Sequence, residues 1–172
     1  MLELEIDSIR VSLRNYQRVV ILKVKGSDLY LPIWIGPSEA DSIALKLQEV
    51  SVPRPLTHDL ICGVITSLKG TVQNIVISNL SDDTFFAKII VEQSGSTIEI
   101  DSRPSDAIAI AIRTTTPIYA EEKLIDQAAV KMNNNPDPSM PFEKSLVKED
   151  ELNKLSAYTD FVDTLDLEDL GK

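Results

Sequence analysis

The sequence predicts an α+β domain over residues 1–130, followed by a linker and an acidic, partly helical tail over 131–172. Three observations predict it. Strand-like runs come in threes, and each trio leads into a helix-like segment opened by proline. The two trios share one register without gaps. Residues 31–46 (LPIWIGPSEADSIALK) and 98–113 (IEIDSRPSDAIAIAIR) lie 67 positions apart, which matches Pro37 with Pro104, Ser38 with Ser105, Glu39 with Asp106 and Lys46 with Arg113. Composition then shifts at Asn133-Asn134-Asn135-Pro136-Asp137-Pro138, a run that breaks regular structure. The predicted architecture is a pair of duplicated βββα units forming a mixed or antiparallel sheet with packed helices, plus the acidic C-terminal tail.

Each element follows from its local pattern. In residues 2–13, Leu2, Leu4 and Ile6 stand on one parity and Ile9, Val11 and Leu13 on the other, so a bulge is expected near Asp7 and Ser8. Residues 14–17 read as a polar turn, the Val/Ile-rich run 18–25 as a strand, and 29–35 as a third strand. Pro37 opens a helix to about Glu49, with Ala40, Ile43, Ala44 and Leu47 as its inner stripe. Residues 54–70 hold a helix between the units. Thr57 is its expected N-cap, Leu60, Ile61, Val64, Ile65 and Leu68 its stripe, and Gly70 its end. The second unit repeats strands at 71–80, 84–92 and 96–101 and a helix over 104–113. Alternating Ile and Ala there also suit a strand; Pro104 and Asp106 in the first turn decide for a helix. That helix is apolar on every side, so a second helix or a second subunit must cover it, and a homodimer or larger homo-oligomer is expected. Residues 117–120 read as a short edge strand and 121–128 as a short helix. In the tail, Leu152, Leu155, Phe161, Val162 and Leu165 recur at weaker amphipathic spacing, and the segment is expected either to dock on the core or to bind a protein partner through 148–170.

Composition excludes several classes. With 43% apolar residues the 172-residue chain can build an ordinary core and needs no disulfide or metal to fold. Cys62 is the only cysteine, which excludes an intrachain disulfide and a cysteine-based zinc cluster. From Met1 onward charged and apolar residues alternate, so no signal peptide is expected; no apolar run reaches the ~18 residues of a membrane span, and the cytoplasm is the expected location. The formal charge is −10; residues 1–130 hold 12 basic and 17 acidic groups, and residues 131–172 hold 5 and 10. Neither part is a basic nucleic-acid platform, which counts against tight, unassisted binding of a polyanion.

No Gly-rich phosphate loop, nucleophile elbow, zinc signature or kinase motif is present. Three polar clusters instead stand at predicted helix starts: Ser38 and Glu39 with Asp41; Arg54 with Thr57, His58 and Asp59; and Asp101, Ser102 and Arg103 with Ser105 and Asp106. Ser, Thr, Asp and Glu have a purely structural reason to be there, since they cap the first turn and suit the positive helix end. An Arg at a helix start is not favoured by that dipole, so Arg54 and Arg103 are expected to hold a carboxylate or an anion. His58 is the only histidine, so any imidazole chemistry must use it, as base, metal ligand or hydrogen-bonded helix-start residue. Asp59, Asp101 and Asp106 offer oxygen ligands of the kind Mg²⁺ or Mn²⁺ takes. Cys62 and Trp34 read as packing residues.

The blocks LPIWIGPSEA, RPLTHDL, DDTFFAKI and IDSRPSDAIAIAIR, followed by PIYAEE, resemble the bifunctional nuclease family over residues 2–130. The resemblance implies an oligomer-forming α+β fold with RNase and DNase activity. Its polar motif positions are Glu39, Arg54, Thr57, His58, Asp59, Asp101, Arg103, Ser105 and Asp106 in this chain. On that footing the expected activity is hydrolysis of phosphodiester bonds in RNA and/or DNA, assisted by Mg²⁺ or Mn²⁺. Asp101 and Asp106 are the expected metal ligands, with Asp59 a further candidate. His58, Asp59, Arg54 and Arg103 are the expected catalytic residues, His58 taking a proton and the arginines neutralising phosphoryl oxygens. Thr57, Ser105 and Glu39 are the expected substrate-binding residues. Without a metal, His58 activating the 2′-hydroxyl would serve for RNA alone. The alternative is a non-enzymatic anion- or nucleotide-binding or protein-interaction module, which the acidic charge favours.

Overall fold

The computed structural model describes residues 1–11 and 17–131. The tail, its linker and most of the turn expected at 14–17 lie outside the described residues. Two antiparallel meanders carry the fold. β1 (Leu2–Val11), β2 (Arg18–Val24) and β3 (Leu29–Ile35) lead into α1 (Pro37–Leu47). After α2 (Thr57–Ser67), β4 (Gly70–Ser81), β5 (Thr84–Gln93) and β6 (Ser96–Ser102) lead into α3 (Pro104–Thr114). β7 (Ile118–Ala120), α4 (Glu122–Ala128) and β8 (Val130–Lys131) follow. The class is α+β, with a mixed eight-stranded sheet in the order β6-β5-β4-β7-β1-β2-β3-β8. The bulge expected in β1 lies between Ile6 and Ser8, where the side-chain parity switches.

β7 corrects the expectation of an edge strand. It lies in the middle of the sheet, parallel to β4 and antiparallel to β1, and joins the two meanders. Ile118 and Ala120 are 6% and 0% exposed, consistent with a strand paired on both sides. β8, which pairs with β3 at the far edge, has no counterpart in the sequence reading.

One face of the sheet carries the core. Leu4, Val20, Leu22, Leu31 and Ile33 come from the first meander, and Ile75, Ile77, Ala87, Ile89 and Val91 from the second. α3 packs on β4 and β5, with α1 and α2 against it. Ala107, Ile108, Ala109, Ile110 and Ala111 are each at most 1% exposed. Burial on that scale stabilises by roughly 1.5–3 kcal/mol for each isoleucine. It is achieved by two helices of the same chain, so α3 needs no second subunit to cover it.

The apolar stripe expected on α2 divides into two lines. Ile61, Cys62 and Ile65 pack against the core, whereas Leu60, Val64 and Leu68 are 61%, 49% and 63% exposed. A helix turns about 100° per residue, so positions 60/64/68 and 61/65 form adjacent lines, and contact with α3 covers one of them. Leu47 at the end of α1 and Trp34 on β3, expected to pack, are 48% and 42% exposed. Among the described residues no helix is long and apolar enough to cross a membrane.

Candidate functional site

α1 and α3 begin alike. Gly36 and Arg103 are their N-caps, Pro37 and Pro104 their first residues, and Glu39 and Asp106 stand in the first turn. Proline presets φ there and needs no N–H partner, while each carboxylate suits the positive helix end. Arg103 ties the two starts together. Its Nε and Nη2 donate to Asp106 Oδ2 and Oδ1 at 2.8 and 3.1 Å. Its Nη1 reaches Glu39 Oε1 at 2.9 Å. Gly36 allows this, because a Cβ at that position would collide with the Glu39 carboxylate.

α2 brings in the third segment. Its N-cap is Leu56 rather than Thr57, which is the first helical residue. The Leu56 N–H donates to Asp59 Oδ2 at 2.9 Å, so Asp59 takes the capping role expected of Thr57. The next residue, His58, is 6% exposed. Its Nδ1 lies 3.0 Å from Ser42 Oγ on α1, and its Nε2 lies 3.1 Å from Asp106 Oδ1 on α3. Arg113, near the end of α3, closes the array. Its Nε donates to Asp59 Oδ1 at 2.7 Å, its Nη1 to the Ala109 carbonyl at 2.9 Å, and its Nη2 to Ser42 Oγ at 3.1 Å. Glu39, Ser42, His58, Asp59, Arg103, Asp106 and Arg113 are thus one hydrogen-bonded network across three helices.

The charges in this network are paired and partly dry. Burial opposes ionisation of Asp106, but hydrogen bonds from Arg103 and His58 outweigh it and hold the carboxyl below its usual range. Asp59 behaves likewise: burial pushes it up, and the Leu56 N–H and Arg113 together pull it below the ordinary value. The Asp106 carboxylate in turn makes the Arg103 guanidinium still harder to deprotonate. Burial pushes the Cys62 thiol up, which makes it a poor nucleophile. Arg103 is the exposed end of the network, its side chain 66% accessible, against 20% for Glu39 and 24% for Asp106. Arg113 is the buried end at 5%.

The fold therefore gathers Glu39, His58, Asp59, Arg103 and Asp106 out of the three clusters, and leaves four other expected residues apart. Arg54 and Thr57 are exposed before and at the start of α2, and Arg54 makes no hydrogen bond or ion pair with the described residues. Ser105, expected to bind substrate, is 5% exposed in the first turn of α3 and makes no side-chain hydrogen bond to the network. Asp101 is exposed on β6, opposite Lys88 in the β5 register. Among the described residues it shares no hydrogen-bond partner with Asp106, which is bonded to Arg103 and His58. Among the described residues no group of three or more His, Cys, Asp or Glu is placed to hold a metal ion. Two cavities of about 360 Å³ flank the cluster, one lined by Arg18, Asp41 and Gln48, the other by Cys62, Thr71 and Arg113; Arg103, His58 and Asp106 line neither.

Ser42 and Arg113 are network members that sequence reasoning missed. A weak signal existed. Ser42 is a hydroxyl next to the buried Ile43, where the matching position of the second unit holds Ala109.

Comparison with known proteins adds relatives to this geometry. The family model described as the bifunctional nuclease domain matches residues 20–133. Uncharacterized protein Rv1829 of Mycobacterium tuberculosis is 41% identical over 160 residues, 93% of this chain and 94% of that protein. Bifunctional nuclease 1 of Oryza sativa subsp. indica is 27% identical over 130 residues, 73% of this chain and 39% of its own length. Bifunctional nuclease 2 of Arabidopsis thaliana is 25% identical over 119 residues, 66% of this chain and 36% of its own length. This chain thus spans well under half of each of these plant relatives. The matched region runs from within β2 through β8 and contains every residue of the hydrogen-bonded network, and on this evidence the chain belongs to the bifunctional nuclease domain family.

Proposed function

We propose that the network is the catalytic centre of a nuclease that hydrolyses phosphodiester bonds in RNA or DNA. The observation that carries this reading is the convergence of Glu39, His58, Arg103 and Asp106, from three chain segments, behind one exposed guanidinium. Helix capping alone requires no such convergence, since a cap serves only its own helix. An Arg has five N–H donors. Glu39 and Asp106 take three of those on Arg103, and one on each terminal nitrogen remains to meet a phosphoryl oxygen. Asp106, oriented by His58 and Arg103, accepts a hydrogen bond from the attacking water and aims it. His58 acts through Asp106 in this arrangement, because both of its ring nitrogens are engaged.

Charge shapes the rest of the proposal. Glu39 and Asp106 outnumber Arg103, so an approaching phosphate meets a net negative patch. Arg54, the other arginine expected to meet phosphate, is exposed in the loop before α2 and would offset it. A divalent Mg²⁺ or Mn²⁺ ion would do the same, but only if bound jointly with the substrate phosphate, since the described residues supply no complete set of ligands. The test is cleavage of labelled single-stranded RNA and DNA with Mg²⁺, Mn²⁺ or EDTA, beside Arg103→Ala and a His58→Ala, Asp106→Ala double variant. Equal cleavage by wild type and both variants would mean a contaminating nuclease and would sink the assignment.

One observation favours the rival, an anion-binding or protein-interaction module without catalysis. His58 is 6% exposed and bonded at both nitrogens, as a structural cross-link would be. Binding of oligonucleotide without turnover in any metal condition would establish it. We further propose a cytoplasmic homodimer formed through the exposed line of α2, and a protein partner for 148–170, a stretch outside the described residues.

A further inference from the structure

We propose that Ser42 and Arg113 are positioning residues that lock the His58 ring, and through it the Asp106 carboxylate, in one orientation; their effect on turnover rests on the nuclease reading above. The argument is one of hydrogen-bond direction. An ionised carboxylate can only accept, and Asp106 is held ionised by Arg103. His58 Nε2 therefore carries the proton and donates to Asp106 Oδ1. In the neutral ring Nδ1 is then an acceptor, and Ser42 Oγ at 3.0 Å donates to it. Ser42 has one hydroxyl proton. With that proton on His58, the oxygen still has lone pairs, and Arg113 Nη2 donates into one of them at 3.1 Å.

The chain thus begins on a group that can only donate and ends on a group that can only accept. Ser42 and His58 lie between them, and each can point only one way. Arg113 cannot drift, because Nε is bonded to Asp59, Nη1 to the Ala109 carbonyl, and the side chain is 5% exposed. Turning the ring over would place a C–H against the carboxylate, and moving its proton to Nδ1 would place the bare Nε2 lone pair against it. The clamp therefore holds the ring at both nitrogens. Asp106 is fixed from behind while Arg103 fixes it from the solvent side.

His58 is the only histidine, so its ring resonances in the full chain are unambiguous. With ¹⁵N-labelled histidine, the wild type is expected to show the proton on Nε2 and a hydrogen-bonded, unprotonated Nδ1. Ser42→Ala should move the Nδ1 resonance downfield and leave the Nε2 proton in place. Arg113→Lys should move it the same way by less. Turnover on single-stranded oligonucleotide should fall about five- to tenfold in Ser42→Ala, the rate equivalent of one lost hydrogen bond of about 1 kcal/mol. Ser42→Thr, which restores the hydroxyl, should recover it to within about twofold. A proton on Nδ1 in the wild type, or an Nδ1 resonance unmoved by Ser42→Ala, overturns the clamp. A moved resonance with unchanged turnover overturns the positioning role. If the wild type shows the expected ring spectrum but cleaves nothing, the nuclease reading falls and the clamp stands. Should Ser42→Ala fail to fold, Arg113→Lys carries the same spectral test with the charge retained.

Discussion

Asp59 is the carboxylate that neutralises Arg113, whose side chain is 5% exposed while the carboxylate itself is 35% exposed. Taking away the acid leaves a buried cation with neutral acceptors only. Asp59→Asn should therefore lower the unfolding free energy by about 2–3 kcal/mol, below the full cost of a wholly buried pair because Asp59 is partly solvated. A urea titration reads this directly, and a loss within ±0.5 kcal/mol, as at an uncritical surface site, would rule the pair out as a stabilising one. Both Asp59 and Asp106 are held below the ordinary carboxylate value. Their contribution is accordingly complete above about pH 4, the ordinary value, and disappears as pH falls through the lower folded value. The wild type should lose urea resistance over that acid range, and Asp106→Asn should lose less of it; parallel curves would refute the linkage. Residues of this kind were legible in part. A single histidine and an arginine at a helix start draw attention without any coordinates. Ser42 and Arg113 do not, because a serine within a helix and an arginine in its last turn each have an ordinary local reason to be there. Asp101 was read together with Asp106 because the two are close in sequence, but it stands exposed on β6 opposite Lys88, while Asp106 is bonded to Arg103 and His58.

At the scale of elements, the proline-led helices and the two meanders were readable because their signals are local: a fixed φ, a period of two, a turn residue. β7 was not. Three residues give no usable period, and its place is set by partners far away, Leu2 to Leu4 on one side and Ile75 to Ile77 on the other. The junction between α1 and α3 offers an element-level test. Gly36 has φ −67°, an ordinary value, so its lack of a side chain matters for space and not for backbone freedom. Gly36→Ala should push the Glu39 carboxylate off Arg103. Because Arg103 is 66% exposed, stability should change by less than about 1 kcal/mol. The informative measurement is a double-mutant cycle between Glu39 and Arg103, whose coupling should vanish in the Gly36→Ala background. Coupling that survives there would show that the glycine has another purpose. Common descent of the two units predicts, separately, that residues 29–46 superpose on 96–113 in an experimental structure with Pro37 on Pro104. A best fit that separates the two prolines would count against duplication.

The whole molecule is acidic, with a formal charge of −10, so two copies repel except where a charge-free surface lets them touch. α2 offers one. Leu60, Val64 and Leu68 are 61%, 49% and 63% exposed on successive turns, and Asp59, the one Asp, Glu, Lys or Arg between Thr57 and Ser67, is tied to Arg113. Gly63 beside them has nothing among the described residues within 4 Å of where a Cβ would stand, so its helix-weakening cost of roughly 1 kcal/mol is not offset by any close approach among them. A second helix packed at close range would supply that offset. A two-fold axis through Val64 would set the line of one copy against the same line of its partner, the self-complementary geometry of a dimer. The original reason to expect a second subunit, the all-round apolar α3, is gone, since α1 and α2 cover it; α2 carries the expectation instead. Sedimentation equilibrium of the full chain should show a dimer at tens of micromolar, tightening as added salt screens the repulsion. Val64→Glu puts like charges across the axis and should give a monomer with an unchanged melting profile. A wild type that stays monomeric at high concentration, or a Val64→Glu variant that still dimerises, would show that this face of α2 is not where two copies meet.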